Sequence, residues 1–194
     1  LDNTENYRGF QNLSKVAPIL PTSLLPWRED LQQVAGWLGR EDNLAQIFRE
    51  YDALRDGIKQ KHAARLASAK VAVGYPTADN QFWLVGTGNA DAPTTAALID
   101  LGGSTIDLPE DPSSPGWTKI SFENLRLLDD ADALFVYATN DANRERLVTS
   151  PLWPLLNVVK NDRVVISPNV LGTGSAYTAM ECLRLWDQVY STLA

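Results

Sequence analysis

Residues 41–69 read EDNLAQIFREYDALRDGIKQKHAARLASA and predict one long helix. Apolar side chains recur in this stretch at helical spacing and form a single stripe: Leu44, Ile47, Phe48, Tyr51, Leu54, Ile58 and Leu66. Acidic Glu41 and Asp42 begin the stretch and basic residues lie near its end, as the helix dipole favours. At about 1.5 Å per residue the helix spans roughly 40 Å, which is long enough to cross one lobe or to join two.

Composition limits the classes of protein that fit. The chain has 194 residues, 44% of them hydrophobic, which suits one domain or one domain with an appendage. The net charge of −7 argues against a nucleic-acid partner. We find no apolar run of the roughly 18 residues that a membrane span needs, and LDNTENYRGF at the start does not resemble a signal peptide. The single Cys182 excludes an internal disulfide and a cysteine-based metal cluster.

The order of predicted elements indicates the fold class. Residues 1–25 are polar, then proline-rich, and have no core of their own. Pro26 suits the start of a first helix that Gly39 ends, with Trp27, Leu31, Val34 and Leu38 on one face. We then predict strands at 71–75, 82–85, 133–137 and 163–166, an extended segment at 104–108, helices at 93–101, 121–128 and 175–193, and a broken helical stretch at 144–156. Strands that alternate with helices predict a three-layer α/β/α fold with a largely parallel central sheet.

Motifs for nucleotide, acyl-transfer or metal chemistry are incomplete. Gly86-Thr87-Gly88 and Gly172-Thr173-Gly174 each lack the third glycine of the dinucleotide fingerprint, and no Walker lysine follows either. Loop glycines explain both pairs better. His62 is the only histidine, and one histidine with one cysteine supplies neither a hydrolase triad nor a zinc site. We interpret His62 as part of a packed helix face.

Loops that follow the predicted strands hold the better candidates for ligand binding. In parallel α/β sheets, ligands bind beyond the carboxyl ends of the strands, and Tyr75, Thr139, Asn140 and Asn169 occupy those positions. Trp117 lies at the end of the proline-rich loop 109–117. Surface packing and ligand contact both remain open for Trp117, because exposed aromatic side chains often mark binding sites.

Four stretches in this order resemble one known family. They are residues 7–55, ISFENLRLLDDADALFVYAT at 120–139, SPLWPLLNVVKNDRVVISP at 150–168 and AYTAMECLRLWDQV at 176–189. The chain is similar to the carboxyl-terminal part of the iron-siderophore substrate-binding proteins of ABC importers, the class with one rigid helix between two lobes. The resemblance implies a remnant of the first lobe at 1–25, connecting helices at 26–69 and a carboxyl-terminal ligand-binding lobe at 70–194.

The function that this resemblance implies is transport. A ferric siderophore or related iron chelate would bind in a cleft between the lobes and pass to the ABC permease subunits, outside the cytoplasm. The siderophore holds the iron, so the resemblance implies no protein metal ligand, no cofactor and no catalysis. It implies no nucleic-acid partner, and membrane contact only through a lipid anchor outside this chain. Cobalamin or haem carriers of the same architecture, an enzyme on an α/β scaffold, and a domain that only contacts a partner protein remain alternatives.

Site residues carry over from the family in part. Trp117 matches the aromatic residue that packs on the siderophore in hydroxamate-type members, whereas two further aromatic positions of that pocket fall here on Leu171 and Thr173. Trp83, like Tyr75 and Asn169, is a candidate by its position near a loop. Glu123 matches the second-lobe glutamate that permease arginines receive. Glu123 also fits a simpler role as a first-turn acid after a Ser121 helix cap.

Overall fold

The computed structural model describes residues 12, 15, 26–90, 92–109, 111, 114–137, 140–167 and 175–193. The α-helices are α1 (Trp27–Leu38), α2 (Glu41–Ser68), α3 (Pro93–Leu101), α4 (Asp141–Val148), α5 (Asn157–Lys160) and α6 (Ala176–Ser191). Two 3-10 helices cover Phe122–Asp130 and Trp153–Leu155. The strands are β1 (Lys70–Pro76), β2 (Gln81–Val85), β3 (Ser104–Thr105), β4 (Trp117–Ser121), β5 (Ala133–Tyr137) and β6 (Val164–Ser167). Within these ranges, no helix combines the length and apolar content that crossing a bilayer requires.

The six strands form one sheet in the order β4-β2-β1-β5-β6, with β3 beside the start of β1. β1 is parallel to β3 and β5, and β5 is parallel to β6. β2 is antiparallel to both β1 and β4, so β4 points in the same direction as β1 and β2 alone is reversed. The predicted α/β fold with a largely parallel sheet is confirmed.

Each face of the sheet buries its own core because successive strand residues point to opposite sides. Val71 and Val73 of β1 pack with α2, α3 and α6. Ala72 packs on the other side with the 3-10 helix Phe122–Asp130 and residues 153–158. Helical layers therefore cover both faces, as the alternation of elements predicted.

The long helix α2 begins at Glu41, as predicted, and packs most of its stripe against the core that contains Val71 and Val73. Tyr51, Ile58 and Leu66 are buried, together with His62. At His62 the backbone leaves helical geometry, with φ −116° and ψ 18°. The preceding helix α1 ends before Gly39, which adopts the left-handed conformation and stops the helix as predicted. Leu38, its last residue, is 61% exposed.

Residues 104–121 differ most from the sequence prediction. We predicted an extended segment over 104–108, but β3 covers only Ser104–Thr105. The predicted loop position of Trp117 is wrong, because this residue begins strand β4. Ser121 precedes a 3-10 helix rather than an α-helix, and its side chain does not cap the helix. The alternation in β4 covers only five residues and includes a lysine, which is too weak a signal to identify a strand.

Candidate functional site

Four aromatic side chains lie on one face of the sheet, near the carboxyl ends of β1 and β5. We call them the aromatic row: Tyr75, Trp83, Trp117 and Tyr137. Strand register brings them together. Tyr75 pairs with Trp83 across β1 and β2. Tyr137 follows Val136, the last residue of β5 that pairs with β1, and so lies beside Tyr75. Trp117 pairs with Val85, two residues beyond Trp83 on the same face of β2.

The rings of the aromatic row contact one another directly. Tyr75 lies at the centre, with ring centroids 6.5 Å from Trp83, 5.8 Å from Trp117 and 5.2 Å from Tyr137. The rings of Trp83 and Trp117 are 5.9 Å apart and nearly perpendicular, at 73°. All four side chains are partly exposed. A continuous aromatic surface of this kind can pack against a flat or apolar ligand.

Burial makes the phenol groups of the row still harder to ionise than an ordinary tyrosine. It raises the pKa of Tyr75 above the ordinary tyrosine value. Burial, and to a smaller degree the neighbouring Tyr75, raises the pKa of Tyr137 further. Neither phenol therefore ionises near neutral pH, and the tyrosine hydroxyls remain available as hydrogen-bond donors.

Lys119 adds a positive charge at one end of the aromatic row. It pairs with Trp83 across β2 and β4, and its Nζ lies 5.4 Å from the centroid of the Trp83 ring. Its ion-pair partner is the carboxylate of Asp79 at 3.7 Å, a largely exposed group. An exposed pair at this distance is weak, so Lys119 keeps the ability to attract an anionic ligand.

Two glycines position the strands that carry the row. A Cβ on Gly74 would lie 2.2 Å from the backbone oxygen of Trp83. The close approach of β2 to β1 at this position therefore requires a residue without a side chain. Gly116, immediately before Trp117, has φ 77°, and a Cβ there would lie 2.6 Å from the Cβ of Asn89. Its carbonyl accepts a hydrogen bond from the Gly86 N–H at 2.9 Å, which fixes the start of β4.

The structure brings together three of the residues that the sequence nominated, namely Tyr75, Trp83 and Trp117. Asn140 is exposed and caps α4, where its side-chain oxygen accepts from the Asn143 N–H at 2.8 Å. The remaining candidates lie outside the described residues: Thr139, Asn169, Leu171 and Thr173. A role in ligand binding stays a prediction for all of them.

Sequence reasoning missed two members of this surface, Tyr137 and Lys119. Tyr137 ends the predicted strand ALFVY, so it occupies the same kind of position as Tyr75 and could have been nominated for that reason. Lys119 could not, because its place beside Trp83 depends on the pairing of β2 with β4.

Glu123 lies apart from the row, in the first turn of the 3-10 helix after β4, and is exposed. A hydrogen bond from the Ser121 hydroxyl, and a smaller contribution from its own backbone N–H, hold the pKa of Glu123 below the ordinary glutamate value. Ser121 therefore favours the ionised form of this carboxylate instead of capping the helix. The result is an ionised acid on the surface.

Other reactive side chains do not join the row. Burial raises the pKa of the Cys182 thiol to about 12, so this cysteine is a packed side chain without thiolate character at neutral pH. His62 is buried between α2 and α6. Among the described residues, no group of three or more histidine, cysteine, aspartate or glutamate side chains has the geometry to hold a metal ion.

Comparison with known proteins identifies the family. Residues 3–171 match the family model described as periplasmic binding protein. The chain belongs to the periplasmic binding protein family. This is a family of binding proteins rather than a class of enzymes, which agrees with the resemblance in the sequence. No curated protein matches the chain.

Solved structures extend the comparison for this periplasmic binding protein. The siderophore periplasmic binding protein from the fuscachelin gene cluster of Thermobifida fusca is 21% identical with a TM-score of 0.73, over 99% of this chain and 70% of that one. FeuA from Bacillus subtilis, a triscatecholate siderophore binding protein solved with ferri-bacillibactin, is 21% identical with a TM-score of 0.71, over 97% and 69%. FhuD from Vibrio cholerae, solved with Fe3+-Desferal, is 16% identical with a TM-score of 0.72, over 95% and 71%. At these identities the likeness concerns the fold.

Proposed function

We propose that this protein binds a ferric siderophore against the aromatic row and delivers it to an ABC permease. The observation that carries the proposal is the row itself, in which four touching aromatic rings end at an exposed lysine on the face of β1, β2, β4 and β5. Three sources support it: the family, the fold shared with siderophore-binding proteins, and the motifs of the sequence.

The chemistry of a ferric siderophore matches this surface. The chelator fills the coordination sphere of the iron, so the protein must recognise the outside of the complex and not the metal. Partly desolvated aromatic faces suit the organic shell of the chelate, and Lys119 suits its negative oxygens. The chain would supply one wall of the binding cleft, and a second lobe would supply the other.

The proposal includes binding without chemical conversion, at a site outside the cytoplasm. Glu123 is the group that we assign to permease docking, since it is exposed and ionised at the start of a helical segment. A permease arginine can receive such a carboxylate through two parallel hydrogen bonds. No specific feature of the described residues favours cobalamin, haem or catalysis over siderophore binding.

Tryptophan fluorescence of the full-length protein tests the proposal. Two of the six tryptophans in this chain belong to the row, so a bound ferric chelate should quench their emission. Titration would use ferri-bacillibactin, Fe3+-Desferal, haemin and cobalamin, and mass spectrometry of the released ligand would check that it is unchanged. Saturable quenching by haemin or cobalamin with none by either ferric siderophore would refute the proposal, as would a ligand that returns chemically altered.

A further inference from the structure

A groove of about 570 Å³ opens beside Glu123, on the opposite face of the sheet from the aromatic row. We call it the charged groove; its walls include Asn80, Phe122, Glu123, Arg146, Ser150 and Leu152. We propose that the charged groove seats a loop of the ABC permease that brings a basic side chain to Glu123 and an acidic side chain to Arg146. This inference rests on the proposed transport function and assigns a second docking charge, Arg146, to it.

The floor of the groove is apolar and firmly held. Phe122 is only 8% exposed and belongs to the core on that face of the sheet, against which Leu152 packs partly buried. The Phe122 N–H donates to the Asn80 carbonyl at 3.0 Å, which joins the β1–β2 turn to the end of β4. A rigid concave surface with an apolar floor offers an apolar side chain of a partner a pre-formed place to bind.

The two charges of the groove have opposite signs and do not neutralise each other. Glu123 accepts from the Ser121 hydroxyl. Arg146 is exposed and forms no ion pair with any residue in the described part of the chain. Arg144, two positions earlier on α4, is already paired with Asp141 at 3.0 Å. A partner with complementary charges would therefore gain two pairings at the groove without breaking an existing one, which gives orientation as well as attraction.

The position of the groove fits a partner that takes the ligand away. Asn80 lies in the turn after β1, and Phe122 follows the end of β4. Both strands point in the same direction, so these residues lie at the edge of the sheet beyond its carboxyl ends. Tyr75 of the aromatic row lies one residue before the end of β1. A permease that receives the ligand at this edge of the sheet would therefore also lie next to the rim of the charged groove.

The test is charge reversal at Arg146 with a matched control on the same helix. Arg146→Glu and Arg144→Glu make the same change of charge on α4, but only Arg146 lines the groove. Each full-length variant is assayed for quenching by Fe3+-Desferal and ferri-bacillibactin, for uptake of radiolabelled iron supplied as each chelate, and for capture by its detergent-solubilised permease. We expect unchanged quenching for both variants. Uptake and capture should fall at least about tenfold for Arg146→Glu, because like charges face each other across the contact, and less than about twofold for Arg144→Glu.

The outcomes separate the groove from the transport function. Equal uptake and capture for the two variants would overturn the groove proposal while siderophore quenching remained intact. If neither ferric siderophore quenched the fluorescence of the wild-type protein, siderophore binding would be refuted instead. The capture assay would still show whether the permease binds at the charged groove. If Arg146→Glu changes the oligomeric state of the protein in size-exclusion chromatography and leaves capture unaltered, the groove contacts a second copy of this chain and the permease assignment is wrong.

Discussion

His62 and Asp187 join the long helix α2 to the closing helix α6. The His62 Nε2 lies 2.7 Å from the Asp187 Oδ1, and Lys61 Nζ reaches the same oxygen at 2.7 Å. His62 is 2% exposed and lies where α2 departs from helical geometry. This pairing therefore fixes α2 against α6 at the point where α2 is least regular.

Asp187→Asn should lower the free energy of unfolding by about 1–3 kcal/mol, because two donors lose a charged acceptor. Urea unfolding at neutral pH measures this change. Asp141→Asn is the control, since Asp141 is 90% exposed in a surface pair, and its effect should stay within about 0.5 kcal/mol. Equal losses for the two variants would contradict the prediction.

The contribution of Asp187 to stability should depend on pH. Partial burial alone would raise its pKa, but hydrogen bonds from Lys61 and His62 outweigh burial and lower the pKa of Asp187 below the ordinary value. A lowered folded-state pKa stabilises the fold above the unfolded pKa of about 3.9, and this stabilisation is lost as pH falls through the folded value. Wild-type protein should therefore lose more stability than Asp187→Asn between about pH 5 and acid pH, and parallel stability curves would show that Asp187 is not the cause.

Gly74→Ala and Gly57→Ala should change stability in opposite directions. A Cβ at Gly74 meets the Trp83 backbone oxygen at 2.2 Å and Phe82 at 2.8 Å, so alanine should force β2 from β1 and cost about 1–3 kcal/mol. Gly57 has nothing within 4 Å and lies inside α2, where alanine should add about 0.5–1 kcal/mol. Thermal unfolding of both variants checks the signs, and stabilisation by Gly74→Ala would show that the strands can separate without cost.

Trp117→Ala should weaken siderophore binding by roughly 1–3 kcal/mol, the usual effect of truncating one aromatic side chain in a binding surface. The reason is that Trp117 packs against both Tyr75 and Trp83 in the row. Trp37→Ala is the matched control, because Trp37 lies on α1 and is 38% exposed. Isothermal calorimetry with ferri-bacillibactin and Fe3+-Desferal avoids dependence on fluorescence, and an unaltered Kd would remove Trp117 from the site.

Lys119→Gln should weaken the binding of ferri-bacillibactin by about two- to fivefold, the range of an exposed ion pair. The binding of Fe3+-Desferal should weaken less. Three doubly deprotonated catechols carry more negative charge than one ferric ion neutralises, so ferri-bacillibactin is an anion. Three singly deprotonated hydroxamates only balance the charge of the ferric ion. The position of Lys119 over Trp83 places its charge beside the ligand. The difference should fade at high salt because exposed charges are screened, and equal effects on both chelates would show that Lys119 does not sense ligand charge.

Glu123→Gln in the full-length protein should leave siderophore affinity unchanged and slow uptake through the cognate permease. The carboxylate is exposed and lies away from the row, so it can meet a partner without touching the ligand. Uptake kinetics and thermal unfolding are measured together. Normal uptake combined with lower thermal stability would mean that Glu123 serves only to begin the 3-10 helix.

Local sequence patterns were sufficient for the elements that carry long or uniform signals. The apolar stripe and acidic start predicted α2 to within one residue of Glu41–Ser68. Proline at its start and glycine beyond its end located α3 at Pro93–Leu101, and the run ALFVY located β5. Motifs in order along the chain indicated the family that the match over residues 3–171 then established.

The candidate site, in contrast, required pairings between distant parts of the chain. Tyr75 and Trp83 face one another because β1 and β2 form an antiparallel pair, and Lys119 joins them because β4 adds to β2. A shift of either pairing by one residue would turn these side chains to the opposite face. The pairing of His62 with Asp187 spans 125 positions. The sequence by itself thus determined the family, through motifs in order, and the elements with long or uniform signals, through local spacing of apolar and turn residues. Strand register and helix packing, which depend on long-range contacts, decided which side chains meet.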